Sequence, residues 1–226
     1  MGLRPFADIV DAAAARHGGI GALEARLSRY SALTRDAVAA LPDSRVLAAM
    51  ARAIFSAGFS AKVIEKKWAG FEEAFWDFDP GACAAMDQAS FDRLLADARI
   101  VRNATKVLAV QKNAAWLGDL AGKAGSASRF FADWPDEDYV GLIEVMLRDG
   151  DRLGGDTGPR FLRAIGKPAF LFSGEVAAAL AREGVIERSM SGKGDRRRAQ
   201  DAFNAWAAET GRDFSALSRI LALSLA

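Results

Sequence analysis

The sequence predicts an all-α protein of about ten helices joined by short turns. Apolar residues recur at helical spacing almost throughout, and no segment sustains the period-two alternation of a half-buried strand. Gly, Asp and Pro punctuate the periodic runs at intervals suited to short helix–helix connections. With 226 residues the chain is long enough for a real core. It is read as one domain over 1–226, an arrangement compatible with two lobes and a cleft between them.

From Ser44 to Ser56, residues Val46, Leu47, Met50, Ile54 and Phe55 share one helical face, with Asp43 or Ser44 as N-cap. Phe71, Phe75 and Phe78 follow at near-helical spacing and read as core. Between Arg102 and Lys123, residues Val107, Val110, Ala114 and Leu117 repeat at three and four. From Asp136 to Asp149 a broad apolar face runs through Tyr139, Leu142, Ile143 and Met146, and Gly150 stops it. Two further helices span Asp195 to Thr210 and Ser215 to Leu225, separated by Gly211. Ala169 to Phe172 is briefly strand-like but too short to carry a sheet. Met190 to Gly194 reads as a flexible loop.

Hydrophobic residues make up 51% of the chain and charged residues 26%, which is globular composition and excludes a disordered chain. No apolar stretch approaches the ~18 residues of a spanning helix, and the segment Met1 to Pro5 has no apolar core of a secretory signal. No membrane partner and a cytoplasmic location are expected. The single cysteine, Cys83, excludes an intramolecular disulfide, and with the single histidine, His17, it cannot build a four-ligand zinc site. No metal and no cofactor are expected. The formal net charge of +1 argues mildly against a polyanionic partner, although a neutral total can hide a basic face. Arg196, Arg197 and Arg198, with Lys193 and Arg188, form the strongest basic patch. Three adjacent arginines on a helix point to different sides, so a solvated face is the alternative.

The segment Leu153-Gly154-Gly155-Asp156-Thr157-Gly158-Pro159-Arg160, residues 153–160, connects one helix to another that starts near Pro159. Its glycines allow a tight turn and close approach of a ligand. Backbone N–H groups at the new helix start would then face an anion, favoured by the helix dipole. This is the recipe of a helix–hairpin–helix, which grips a DNA phosphate without reading sequence. A plain Gly-rich helix connection is the alternative.

The run from Ala57 to Asn113 combines Ala57-Gly58-Phe59-Ser60, Val63-Ile64-Glu65-Lys66-Lys67-Trp68, Phe78-Asp79-Pro80, Ile100-Val101-Arg102-Asn103, Lys106 and Asn113-Ala114. In that order it resembles the DNA-3-methyladenine glycosylase I family, of the helix–hairpin–helix glycosylase superfamily. The resemblance implies hydrolysis of the N-glycosidic bond of alkylated purines in double-stranded DNA by a monomer that flips the base out. It places Gly58, Phe59 and Ser60 at the base pocket, with Phe59 as the wedge that fills the gap; a core residue at a helix corner is the alternative for Phe59. Gly155, Gly158, Arg160, Lys167, Arg102 and Asn103 become the expected DNA contacts.

Ser173 falls where the superfamily carries its catalytic aspartate, and Glu175, two residues later, is the candidate catalytic carboxylate. Structural roles as N-cap and first-turn acid would also explain that pair. The chain departs from the family at three places. Ala61 stands where a stacking tryptophan is common, Ala53 where a pocket glutamate is expected, and the zinc ligands are absent. A noncatalytic DNA-binding or damage-recognition module, or a helical interaction protein, are the competing readings.

Overall fold

Fourteen α-helices and no strand occur among the described residues, 2–28, 32–187 and 192–225 of a computed structural model. Arg188, Met190 and Ser191, parts of the expected basic patch and loop, lie outside them. The count exceeds the expected ten because short helices with their own caps separate the long ones. Thr34, Asp79, Asp87 and Ser126 each accept a backbone N–H from the first turn of such a helix.

The chain divides into two compact units. The first, a terminal unit, comprises 1–33, 135–142 and 168–226. It contains α1 (Phe6–Arg16), α2 (Ile20–Leu27), α12 (Gly174–Arg182), α13 (Lys193–Thr210) and α14 (Phe214–Leu223). Its core holds Phe6, Tyr139, Phe170, Phe203 and Trp206, all at most 1% exposed. Phe170 stacks on Phe203 with ring centroids 4.2 Å apart. The strand-like segment 169–172 takes no regular secondary structure and pairs with no strand. Its polar backbone is satisfied by side chains instead, since a buried unpaired amide is costly. Ser215 Oγ accepts from Ala169 N at 3.1 Å, Ser218 Oγ accepts from Leu171 N at 3.2 Å, and Tyr139 OH donates to Phe170 O at 2.7 Å. His17 Nε2 lies 3.0 Å from Leu223 O and secures the last turn of α14.

The second, a hairpin unit, comprises 34–134 and 143–167. Its helices are α3 (Arg35–Ala39), α4 (Asp43–Ser56), α5 (Ala61–Ala74), α6 (Pro80–Ala84), α7 (Gln88–Ala96), α8 (Ala104–Ala124), α9 (Ala127–Asp133) and α11 (Thr157–Ala164). The boundary between the units falls inside α10 (Tyr139–Asp149). Helix α8 packs against α4, α6, α7 and α9, and α11 packs on α4. Neither Asp43 nor Ser44 caps this helix, contrary to the expectation from sequence; Pro42 stands at that position. The Asp43 carboxylate accepts instead from Ala127 N and Ser128 N, both at 3.0 Å, and so caps the start of α9.

Trp76, Asp77 and Phe78 form one left-handed turn, with φ of 51°, 53° and 57°. Non-glycine residues pay roughly 1–2 kcal/mol each for that conformation. The rings explain why it persists: Phe78 stacks on Phe75 at 5.4 Å and on Trp68 at 5.3 Å, and all three phenylalanines 71, 75 and 78 are fully buried. Cys83 Sγ donates to Phe75 O at 3.3 Å beneath this stack. Burial, with Asp79 nearby, pushes its thiol up to about 12, so it stays protonated.

Ser215→Ala removes the hydroxyl that serves both the N–H and the C=O of Ala169. A loss of about 1–3 kcal/mol is expected, read as a lower urea midpoint at unchanged slope.

Candidate nucleic-acid interface

Helix α4 ends at Ser56, and the next residues turn sharply because Gly58 takes φ +76°. A Cβ at Gly58 would touch nothing, so the left-handed backbone, and not crowding, is what calls for glycine here. Phe59 follows with 44% of its surface exposed, one of the few large apolar side chains so presented. It is not a core residue. Ser60 is exposed and opens α5 without a side-chain cap bond.

Beneath this loop lies Lys106, only 6% exposed. Its ammonium donates to Ala57 O at 2.6 Å and Phe55 O at 3.2 Å. It also sits 4.7 Å from the ring centroid of Phe59 and 5.9 Å from that of Phe55. Carbonyls at a helix C-terminus lack intrahelical partners, and a cation there is favoured by the dipole. Burial, and then the charge of Arg152, hold the Lys106 ammonium below the ordinary lysine value of 10.5.

The hairpin is tied to the same helix. Asn113, fully buried on α8, donates from Nδ2 to Asp151 O at 3.0 Å and accepts from Asp151 N at 2.8 Å. Lys112 adds an ion pair to the Asp151 carboxylate at 3.0 Å. The chain then passes Arg152, whose φ is +58°, and Gly155, whose φ is +57°, before α11 begins. Gly155 is exposed with open space where a side chain would be, so a phosphate can approach its backbone closely. Arg160 is exposed on the first turns of α11, 3.7 Å from Asp156. Arg102 is exposed just before α8.

Three residues expected to contact DNA are occupied inside the unit. Gly158 is buried, its N–H donates to Leu153 O at 3.1 Å, and a Cβ there would lie 2.6 Å from that oxygen. It closes the hairpin, and with Thr157 N bound to Gly154 O at 3.2 Å, two N–H groups of the helix start are spent on the turn itself. Lys167 is 5% exposed and donates to Trp134 O at 2.5 Å. Asn103 caps α8, accepting from Lys106 N at 3.1 Å and Thr105 Oγ1 at 2.8 Å. Asparagine before a helical run is the sequence signal for that role; nothing in sequence marks Lys106 as buried.

Glu175 belongs to the terminal unit, exposed in the first turn of α12, where Ser173 Oγ accepts from Val176 N at 3.4 Å. Ser173 is therefore the N-cap. In the same unit the guanidinium of Arg196 lies 5.2 Å over the Phe172 ring. Around Ala53 the residues are Arg52, Ile54, Phe55 and Ser56, and none is a carboxylate. Arg52 pairs with Glu65 at 2.5 Å and covers Trp68 at 4.6 Å. Among the described residues no group of three or more His, Cys, Asp or Glu is placed to hold a metal, and no helix is long and apolar enough to cross a membrane.

The arrangement defines a helical unit that presents an aromatic loop and a Gly-rich hairpin from one central helix. Residues 37–141, a little under half the chain, match the family of methyladenine glycosylases. The match takes in Gly58 to Ser60, Lys106 and Asn113 and stops short of the hairpin and Glu175. Among solved structures, the chain is similar to 3-methyladenine DNA glycosylase I from Staphylococcus aureus, at 27% identity over 54% of this chain and 74% of that one, with a TM-score of 0.49. A point mutant of 3-methyladenine DNA glycosylase I in complex with 3-methyladenine is similar at 26% identity over 54% and 75%, with a TM-score of 0.49. Another 3-methyladenine DNA glycosylase I structure gives 21% over 54% and 79%, with a TM-score of 0.45. No curated protein matches the chain.

Two outcomes follow from this geometry. Gly158→Ala forces a methyl group against Leu153 O, so a loss of about 1–3 kcal/mol in chemical denaturation is expected. Lys106 should also leave a signature in the pH dependence of stability. The folded protein releases its proton below 10.5, where the unfolded chain still holds one, so the unfolded state binds more protons in that window. Wild-type stability should therefore rise relative to Lys106→Met as the pH climbs from neutral towards 10.5. Parallel curves of urea midpoint against pH would mean that Lys106 titrates as a free lysine.

Proposed function

We propose that the chain is a DNA base-excision glycosylase that hydrolyses the N-glycosidic bond of alkylated purines such as 3-methyladenine. The observation that carries this reading is the exposed Phe59 on a left-handed glycine turn, braced from below by Lys106, inside the segment that matches the methyladenine glycosylases. An enzyme acting on a base must first take it out of the stack, and a side chain that fills the hole offsets part of the few kcal/mol of unstacking. Phe59 fits that role. With the Lys106 ammonium 4.7 Å from its centroid, the ring is a poor platform for a cationic alkylated base, whose charge that ammonium would repel. It is suited to neutral neighbours in the stack.

Gly155, Arg160 and Arg102 are the exposed groups that would meet the phosphate backbone, giving affinity without sequence preference. Hydrolysis adds water at the sugar C1′ while the bonding pair leaves with the purine. N3-alkylated adenine carries a positive charge, so it departs neutral and needs little general-acid help. The remaining demand is for negative charge beside the developing sugar cation. Glu175 is the candidate to supply it.

Incubation of methylated duplex with excess protein should release free 3-methyladenine. Phe59→Ala should slow release at least tenfold, about 1.4 kcal/mol, and Gly155→Asp should weaken duplex binding by opposing the phosphate. No release above background at high protein concentration would sink the enzymatic reading. Ala53, where the resemblance expects a glutamate, favours a second reading, a damage-recognition module without chemistry. Salt-sensitive binding to abasic duplex with no released base would establish that one.

A further inference from the structure

We propose that Lys106 is the positioning residue of this site, the group that orders the 57–60 loop and holds Phe59 at the angle from which it enters a duplex. The inference rests on the wedge reading of Phe59. The loop has little to order it from within. Gly58 imposes no preference of its own beyond allowing the left-handed turn. Ser60 makes no side-chain cap, and Phe59 N–H reaches Ser56 O at 3.1 Å as the turn's internal bond. An exposed phenylalanine on such a turn would sample many directions and pay ordering entropy each time it inserted.

Lys106 supplies the missing constraint from outside the loop. One ammonium bridges Phe55 O and Ala57 O, on either side of Ser56, and the same group lies against the rings of Phe55 and Phe59. The cation is 6% exposed while the ring it faces is 44% exposed, so the ring is held on its inner side and presented on its outer side. The position of Lys106 is itself fixed, because its backbone N–H is the one that Asn103 caps at the start of α8. The constraint thus runs from Asn103 to Lys106, to the carbonyls of Phe55 and Ala57, and so to Phe59. A lysine spent in this way touches no reacting atom; it acts through the wedge.

The test compares wild type, Phe59→Ala, Lys106→Met and the double variant, with thermal melting as the check that each is folded. In the free protein, hydrogen exchange at the Ala57 and Phe59 amides, which bond Ala53 O and Ser56 O, should quicken at least tenfold in Lys106→Met, while amides in the middle of α8 stay as slow as in wild type. On a duplex carrying 2-aminopurine beside an abasic analogue, wild type should raise the fluorescence by unstacking the probe. Lys106→Met and Phe59→Ala should each lose that rise, and the double variant should lose no more than either single one. Unchanged exchange in Lys106→Met, or losses that multiply in the double variant, would overturn the proposal. Faster loop exchange in Lys106→Met together with no fluorescence rise from wild type would overturn the wedge reading while upholding Lys106 as the residue that orders the loop.

Discussion

Helix α8 carries two polar side chains into the interior of the hairpin unit, and neither can be left without partners at acceptable cost. Lys106, on its first turn, satisfies the end of α4; Asn113, about two turns on, satisfies the backbone at Asp151. Burying an unpaired amide or ammonium costs several kcal/mol, so each side chain holds its partner segment in place as strongly as the segment holds it. Both segments so gripped are irregular. They contain left-handed residues at 58, 152 and 155, and neither has a regular helix's own hydrogen-bond ladder to define it. What looks like loop structure is in this sense dictated by a helix.

The division of labour among charges follows from the same arrangement. The cation beneath Phe59 is spent on carbonyls and rings, and Lys167 is spent on Trp134 O, so under the proposed function phosphate contact would fall to side chains that remain in solvent, Arg102 and Arg160, and to the open backbone at Gly155. A net charge of +1 fits such an economical set. For a leaving group already cationic, geometry that extrudes and separates the base carries more of the barrier than proton transfer does. On the proposed alkylated-purine substrate, an alanine at 53 would then be less damaging than on a neutral lesion.

The all-helical class and the long helices α4, α8, α10, α13 and α14 were legible because periodicity reports which face is buried. The run from Ala57 to Asn113 likewise pointed to the aromatic loop. Other features were hidden for identifiable reasons. Asp43 precedes an apolar run, as an N-cap should, yet its carboxylate serves α9, more than eighty residues away, and no local pattern encodes that. Segment 169–172 has strand-like residues, but its amides are satisfied by serines of α14, a tertiary substitute for a sheet. Lys167 was assigned to DNA, and the burial of Lys106 was hidden, because burial of a lysine depends on carbonyls that only the fold gathers. Gly158 was assigned to the ligand because a glycine in a turn serves crowding and ligand approach equally well in sequence; here crowding against Leu153 O decides.

The spacing between Lys106 and Asn113 has one more consequence. Seven residues at about 100° each return nearly to the starting direction, which is why one helix can reach the loop and the hairpin from a single flank. Adding or deleting one residue between them would swing one side chain a quarter-turn or more from its partner, whatever residue was added. Beyond Asn113 that restriction ends, and α8 runs on to Ala124. The stretch from 106 to 113 is therefore a measured length, a ruler within the chain that can change its lettering far more readily than its span.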